Sequence, residues 1–151
     1  MSRTAHETLP HRASRIANDP RALAPLVMAM GFLGASLRYF LELAIPANGG
    51  FPFATLLVNV FGCFTLEIIN LYVSRNMNLP APVVKSLSVG FVGAFTTLSA
   101  FSTENLEFLM QGRYGIFAAY FLVTVATTLA AAFAGYATCR RIERSRGGDA
   151  R

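Results

Sequence analysis

The sequence predicts an all-α membrane protein of four transmembrane helices, with a break in the third. Three observations lead there. Of 151 residues, 54% are hydrophobic and only 14% charged, more apolar surface than a soluble domain of this size buries in one core. The apolar residues gather in four runs, each about the ~20 residues that a helix needs to cross ~30 Å of hydrocarbon. None of the runs alternates apolar and polar residues as a barrel strand would.

Residues 1–22 are polar and are expected to form a disordered tail. With Asp19 and Pro20 ahead of a long apolar run, this segment does not read as a cleavable signal peptide. Its His6 and His11 have no neighbouring Cys or second acidic ligand, so no metal role is expected of them. The membrane domain spans residues 23–139. Its first span runs from Ala24 to Ile45 and carries Arg38 and Glu42 near its end, four residues apart and able to pair on one face. Arg38 could instead draw anions toward an entrance.

The second span, Phe53 to Val73, places Thr55, Asn59 and Cys63 on one helical face, with Gly62 beside them. Asn59 can either tie the bundle through an interhelical hydrogen bond or present its amide to an ion. Glu67 lies deeper in the same span, is expected to snorkel toward the Arg75 side or to stay protonated, and has no assigned function.

The third span, Val84 to Met110, contains Gly90 and Gly93 followed by the hydroxyl cluster Thr96, Thr97, Ser99 and Ser102. That is poor helix material for mid-membrane, and a break is expected there. Non-helical backbone at membrane depth is tolerated only inside protein or along a cavity, where freed carbonyls can hold a cation.

The fourth span, Tyr114 to Thr138, aligns Tyr120, Thr124 and Thr128 at intervals of four. Hydroxyls donate to anions or accept from cations, so this stripe implies an ion path without fixing the sign of charge. Residues 140–151 form a basic tail.

Charge distribution predicts orientation. Eleven Lys and Arg fall before the first span, between the second and third, and after the fourth, against two (Arg38 and Arg113) on the other side. By the positive-inside rule both termini are expected in the cytoplasm. The net charge of +5 needs only lipid phosphates as partners, and nucleic-acid binding is not expected. Cys63 and Cys139 show no disulfide or metal spacing. With no nucleophile–base pair or metal constellation in view, the chain does not read as an enzyme.

Three segments together carry a resemblance: Gly31-Phe-Leu-Gly-Ala-Ser-Leu-Arg-Tyr39, Ala54-Thr-Leu-Leu-Val-Asn-Val-Phe-Gly62 and Gly90-Phe-Val-Gly-Ala-Phe-Thr-Thr-Leu-Ser-Ala-Phe-Ser-Thr-Glu104. In order and spacing the chain resembles the CrcB/Fluc family of fluoride channels, over roughly residues 31–138. The resemblance implies an antiparallel, dual-topology dimer in the cell inner membrane, passively exporting fluoride through two pores. It implies that Asn59, Phe101, Thr55 and Ser99 line the pore with the track of Tyr120, Thr124 and Thr128, and that Arg38 and Glu104 stand at its entrances. The carbonyls of Gly93 and Thr96, from both subunits, would hold a structural Na+ ion.

Two features depart from the family pattern. Where it has two phenylalanines with a threonine between them, this chain has Leu98, Ala100 and Phe101. A phenylalanine edge carries partial positive charge that leucine lacks, so slower conduction, or a different anion contact at that level, is expected. The bias of eleven basic residues against two is also unusual for subunits inserting both ways, leaving a homodimer favoured over a heterodimer with an inverted paralogue. The competing classes are a small four-span multidrug or cation exporter, for which Glu67 is the acidic residue considered, and a non-transporting scaffold packed through small residues such as Gly31, Ala35, Ala131 and Gly135.

Overall fold

The computed structural model describes residues 20–46, 50–77 and 79–148, with side chains for 23–46, 50–77 and 79–145. His6, His11 and the segment expected to be disordered up to residue 19 lie outside the described residues. No strand occurs among the described residues, and four helical segments are long and apolar enough to cross a membrane: Leu23–Ala44, Phe53–Asn76, Ala81–Met110 and Tyr114–Ser145. The chain is a multi-pass, all-helical membrane protein.

The first span is one helix, α1 (Pro20–Ala44), with Pro25 near its start. The second begins as α2 (Phe53–Glu67), widens into a π-helical stretch at Ile68–Val73 and ends in α3 (Ser74–Asn76). The third starts with α4 (Ala81–Lys85), widens over Ser86–Val92, tightens into α5 (Gly93–Phe95) and continues as α6 (Leu98–Met110). Between α5 and α6 the backbone is extended, with ψ 154° at Thr96 and φ −144°, ψ 112° at Thr97. The fourth span is α7 (Tyr114–Gly148).

α7 runs ten residues past Thr138, where the apolar run ends. The reason is local: Arg and Glu are good helix formers once the chain reaches water. Thirty-five residues make a helix of about 52 Å, so part of it stands outside a ~30 Å hydrocarbon layer. Its overhang is braced by an Arg75–Glu143 ion pair, 3.8 Å, to the end of the second span.

Packing pairs the spans. α1 lies along the π-helical stretch and α5 of the third span, while α2 lies along α7. Small residues permit this closeness. A Cβ on Gly34 would collide with the Phe91 carbonyl, and one on Gly135 would stand 2.9 Å from both the Phe64 carbonyl and Glu67 Cβ. Apolar side chains otherwise face outward: Met28, Phe32, Phe40 and Leu43 on α1 are all more than 60% exposed. In water that surface would cost ~25 cal/mol per Å²; against lipid or another protein it costs little.

Candidate functional site

The site is built around the extended residues Thr96 and Thr97 between α5 and α6. Asn59 on α2 reaches it with both ends of its amide. Nδ2 donates to the Thr97 carbonyl at 3.0 Å, and Oδ1 accepts from the Thr97 N–H at 2.8 Å. In an unbroken helix that N–H would donate to the Gly93 carbonyl four residues back, so the asparagine satisfies the extended residue and releases Gly93 from that bond. Thr97 Oγ1 then accepts from Ala100 N–H at 3.1 Å and caps α6. Of the two readings the sequence left open for Asn59, the interhelical tie is present. Its second Nδ2 hydrogen remains for another acceptor.

Beside this tie lies a cavity of about 250 Å³, whose walls include Asn59, Thr97, Phe101, Thr124 and Thr128. The hydroxyl stripe behaves unevenly. Thr128 Oγ1 donates to its own helix at the Thr124 carbonyl, 2.8 Å. Thr124 Oγ1 is buried beside the Tyr120 hydroxyl, yet makes no hydrogen bond of ordinary geometry among the described residues. A buried hydroxyl without a partner costs ~1–3 kcal/mol, which is tolerable where a passing ion or water supplies the bond.

One helical turn along, a second cavity of about 280 Å³ is lined by Arg38, Glu42, Thr55, Ala100 and Glu104. Arg38 Nη1 pairs with Glu42 Oε1 at 3.1 Å, as the i, i+4 spacing predicts, while its Nε is buried without a partner among the described residues. Glu104 accepts from Thr55 Oγ1 at 2.7 Å and from the Tyr120 hydroxyl at 2.6 Å. Three spans thereby meet on one carboxylate. Tyr120 is fully buried, with Phe101 tilted against it at 5.3 Å between ring centroids and Phe51 edge-on at 5.3 Å.

Thr55 and Asn59 are four residues apart on α2, and Glu104 and Phe101 three apart on α6, so the two cavities follow one another along α2 and α6, while Thr124 and Thr128 bring α7 into the wall of the first. The structure thus groups Asn59, Phe101, Thr124 and Thr128 at the first cavity. Thr55, Arg38 and Glu104 meet at the second, and Tyr120 lies behind both. Ser99 stands apart, exposed on the isolated chain and 3.2 Å from Thr97 Oγ1. Gly93 is exposed too, and Thr96 half-buried with its Oγ1 donating to the Val92 carbonyl at 3.0 Å. Glu67 lies on neither cavity.

Sequence reasoning did not single out Thr97 or Asn105. Thr97 carried a signal: a lone asparagine in mid-membrane needs a partner offering both donor and acceptor, and an extended backbone residue does so. Asn105, buried and donating to the Phe101 carbonyl at 2.7 Å, carried none beyond its polarity.

The family model for CrcB-like protein, Camphor Resistance (CrcB), matches residues 25–136, which include all the residues of both cavities. The chain belongs to the CrcB family. Among curated relatives it is 39% identical over 112 residues to the Fluoride-specific ion channel FluC 2 of Geobacillus kaustophilus, covering 73% of this chain and 87% of that one. It is 37% identical over 106 residues to FluC 1 of Bacillus cereus, covering 68% and 74%. To the Fluoride-specific ion channel FluC of Rhizobium etli it is 38% identical over 121 residues, covering 79% and 97%. Membership of the CrcB family agrees with the resemblance carried by the three sequence segments.

Proposed function

We propose that this chain is a passive, fluoride-selective channel that lets fluoride leave the cytoplasm and so relieves its toxicity. The observation that carries the reading is the cavity between α2, α6 and α7, where the buried, unpartnered Thr124 hydroxyl and the second amide hydrogen of Asn59 stand beside the Phe101 ring. A dehydrating anion needs donors that replace water one by one, and none so strong that it cannot leave. Two neutral donors and an aromatic edge supply that kind of contact. Arg38 at the second cavity is paired with Glu42 and shares the wall with Glu104, so it meets an anion as a compensated charge that does not trap it.

The finer arrangement follows from the same chemistry. The extended residues Thr96 and Thr97 act as the break in the third span, lining the pore as non-helical backbone at membrane depth must. The assembly is an antiparallel homodimer: the outward apolar faces of a chain this small are covered by a second copy as well as lipid. The Gly93 carbonyl, released from the Thr97 N–H, and the Thr96 carbonyl are hard oxygen donors of the kind a Na+ ion takes. Bound there, Na+ supplies positive charge that lowers the cost of an anion in low dielectric. Ser99, exposed on the isolated chain, would face the pore only in the assembled dimer.

Fluoride efflux from proteoliposomes tests the reading, with chloride as the comparison. The parent should pass fluoride and not chloride. Asn59→Asp, which keeps the acceptor for Thr97 N–H but removes the donors and adds negative charge, should cut fluoride flux at least ~10-fold, the value of losing one charge-assisted hydrogen bond of ~1.5 kcal/mol. Well-folded parent protein that passes no fluoride would overturn the channel reading.

A further inference from the structure

A third cavity, of about 160 Å³, shares no residue with the other two. It lies where the end of the second span meets the overhang of α7 and is lined by Leu71, Arg75, Tyr136, Cys139, Arg140 and Glu143. We propose that it is a headgroup site for an anionic phospholipid.

Its height comes from the sequence. The apolar run of α7 ends at Thr138, so Tyr136 to Glu143 occupies the level where hydrocarbon gives way to headgroups. That is where tyrosine and arginine anchor membrane helices. The charges come from two spans: Arg75 from α3 and Arg140 from α7, with only Glu143 against them. Arg75 holds Glu143 at 3.8 Å, near the outer limit for an ion pair. Arg140 is spent on no carboxylate within bridging distance among the described residues; its Nη1 donates to the Tyr136 hydroxyl at 3.0 Å, and the guanidinium lies 5.8 Å from that ring's centre.

The pocket therefore has an excess of one positive charge, with Arg144 exposed one turn beyond. A guanidinium keeps further N–H donors after one bond and offers a phosphodiester a two-point contact. Tyr136 holds the Arg140 fork in place, which lowers the entropy lost on binding. Leu71 in the wall gives the glycerol end an apolar contact that a free phosphate ion could not use. Phosphate chemistry and apolar contact together select a lipid.

The test is the thermal unfolding midpoint of the full chain in neutral detergent, titrated with phosphatidylglycerol, phosphatidylcholine or inorganic phosphate. A bound lipid raises the midpoint in a saturable way. Phosphatidylglycerol should do so and the other two should not. Arg75→Gln and Arg140→Gln should each need roughly fivefold more phosphatidylglycerol for half the shift, following ~1 kcal/mol per basic residue. Glu143→Gln, which removes the competing carboxylate and keeps both arginines, should need less.

Lys85→Gln, a basic residue outside the pocket, should match the parent. The proposal is overturned if phosphatidylcholine or inorganic phosphate reproduces the shift, if Lys85→Gln weakens binding as much as Arg140→Gln, or if Glu143→Gln weakens it.

Discussion

At the scale of single residues, Thr124 and Thr128 of the fourth span's polar stripe separate function from structure. Thr128 satisfies its hydroxyl on its own backbone, and Thr124 does not. Replacing Thr124 by Val removes a buried orphan, so stability should hold or rise by up to ~1 kcal/mol. If that hydroxyl meets the ion, fluoride flux should still fall by about tenfold, the worth of one hydrogen bond to a charged group. Thr128→Val should change flux less. Unfolding midpoints and liposome efflux on the two variants check this, and equal flux loss from both would reject the distinction. Leu98 is the other informative residue: it lines the first cavity yet is 77% exposed on the isolated chain, at the position where a second aromatic edge could meet an anion. Leu98→Phe should raise fluoride flux, and an unchanged rate would show that the missing edge does not matter. The spacing of Tyr120, Thr124 and Thr128 was readable in the sequence because period four fixes a face. Which hydroxyl was spent depended on rotamers set by packing, which no spacing reveals.

At the scale of elements, one asparagine sustains the extended residues of the third span. Asn59→Leu would remove both bonds to Thr97 and leave its buried N–H and C=O without their side-chain partner. The expected loss is ~2–4 kcal/mol, from two hydrogen bonds and their desolvation, seen as a lower unfolding midpoint in detergent. Close helix approach makes a second prediction. Gly34→Ala places a methyl group on the Phe91 carbonyl, so the first and third spans must separate, at a cost of about 1–3 kcal/mol. A wild-type midpoint would mean that the two spans slide freely. The four spans were legible in composition alone because hydrocarbon thickness sets their length. The glycine-then-hydroxyl run contains the extended residues Thr96 and Thr97, but the two π-helical widenings and the overhang of α7 were not foreseen. Both keep the backbone helical and leave the apolar run or its polar continuation unchanged, and so leave no mark in the hydropathy pattern. Glu104 was placed at a pore end from resemblance; its bonds to Thr55 and Tyr120 put an intramembrane carboxylate beside the polar track, whereas only Glu67 had been considered as the acidic residue a cation exporter would need.

At the scale of the whole molecule, charge and the proposed assembly pull in opposite directions. Thirteen Lys and Arg divide eleven to two across the four spans, a bias that favours one orientation. An antiparallel homodimer needs both. The conflict eases if distant tail arginines contribute little, since the rule weighs residues within ~15–20 positions of a span end. Arg3 lies about twenty residues before Leu23 and drops out, but four of the C-terminal arginines follow Thr138 directly on the helix that carries the fourth span, so the bias and the conflict stand. A cysteine placed at Gln111, in the turn between α6 and α7, reads the outcome directly when Cys63 and Cys139 are replaced by serine. In intact cells an impermeant thiol reagent should label about half of the chains, the fraction that equal insertion in both directions requires, with the remainder labelled only after the membrane is opened. Labelling of nearly all chains from one side would exclude the antiparallel homodimer. If the same purified chain still passed fluoride in liposomes, its subunits would have to pair in parallel or reorient on reconstitution, and the positive-inside bias would have prevailed over the symmetry that the pore is proposed to use.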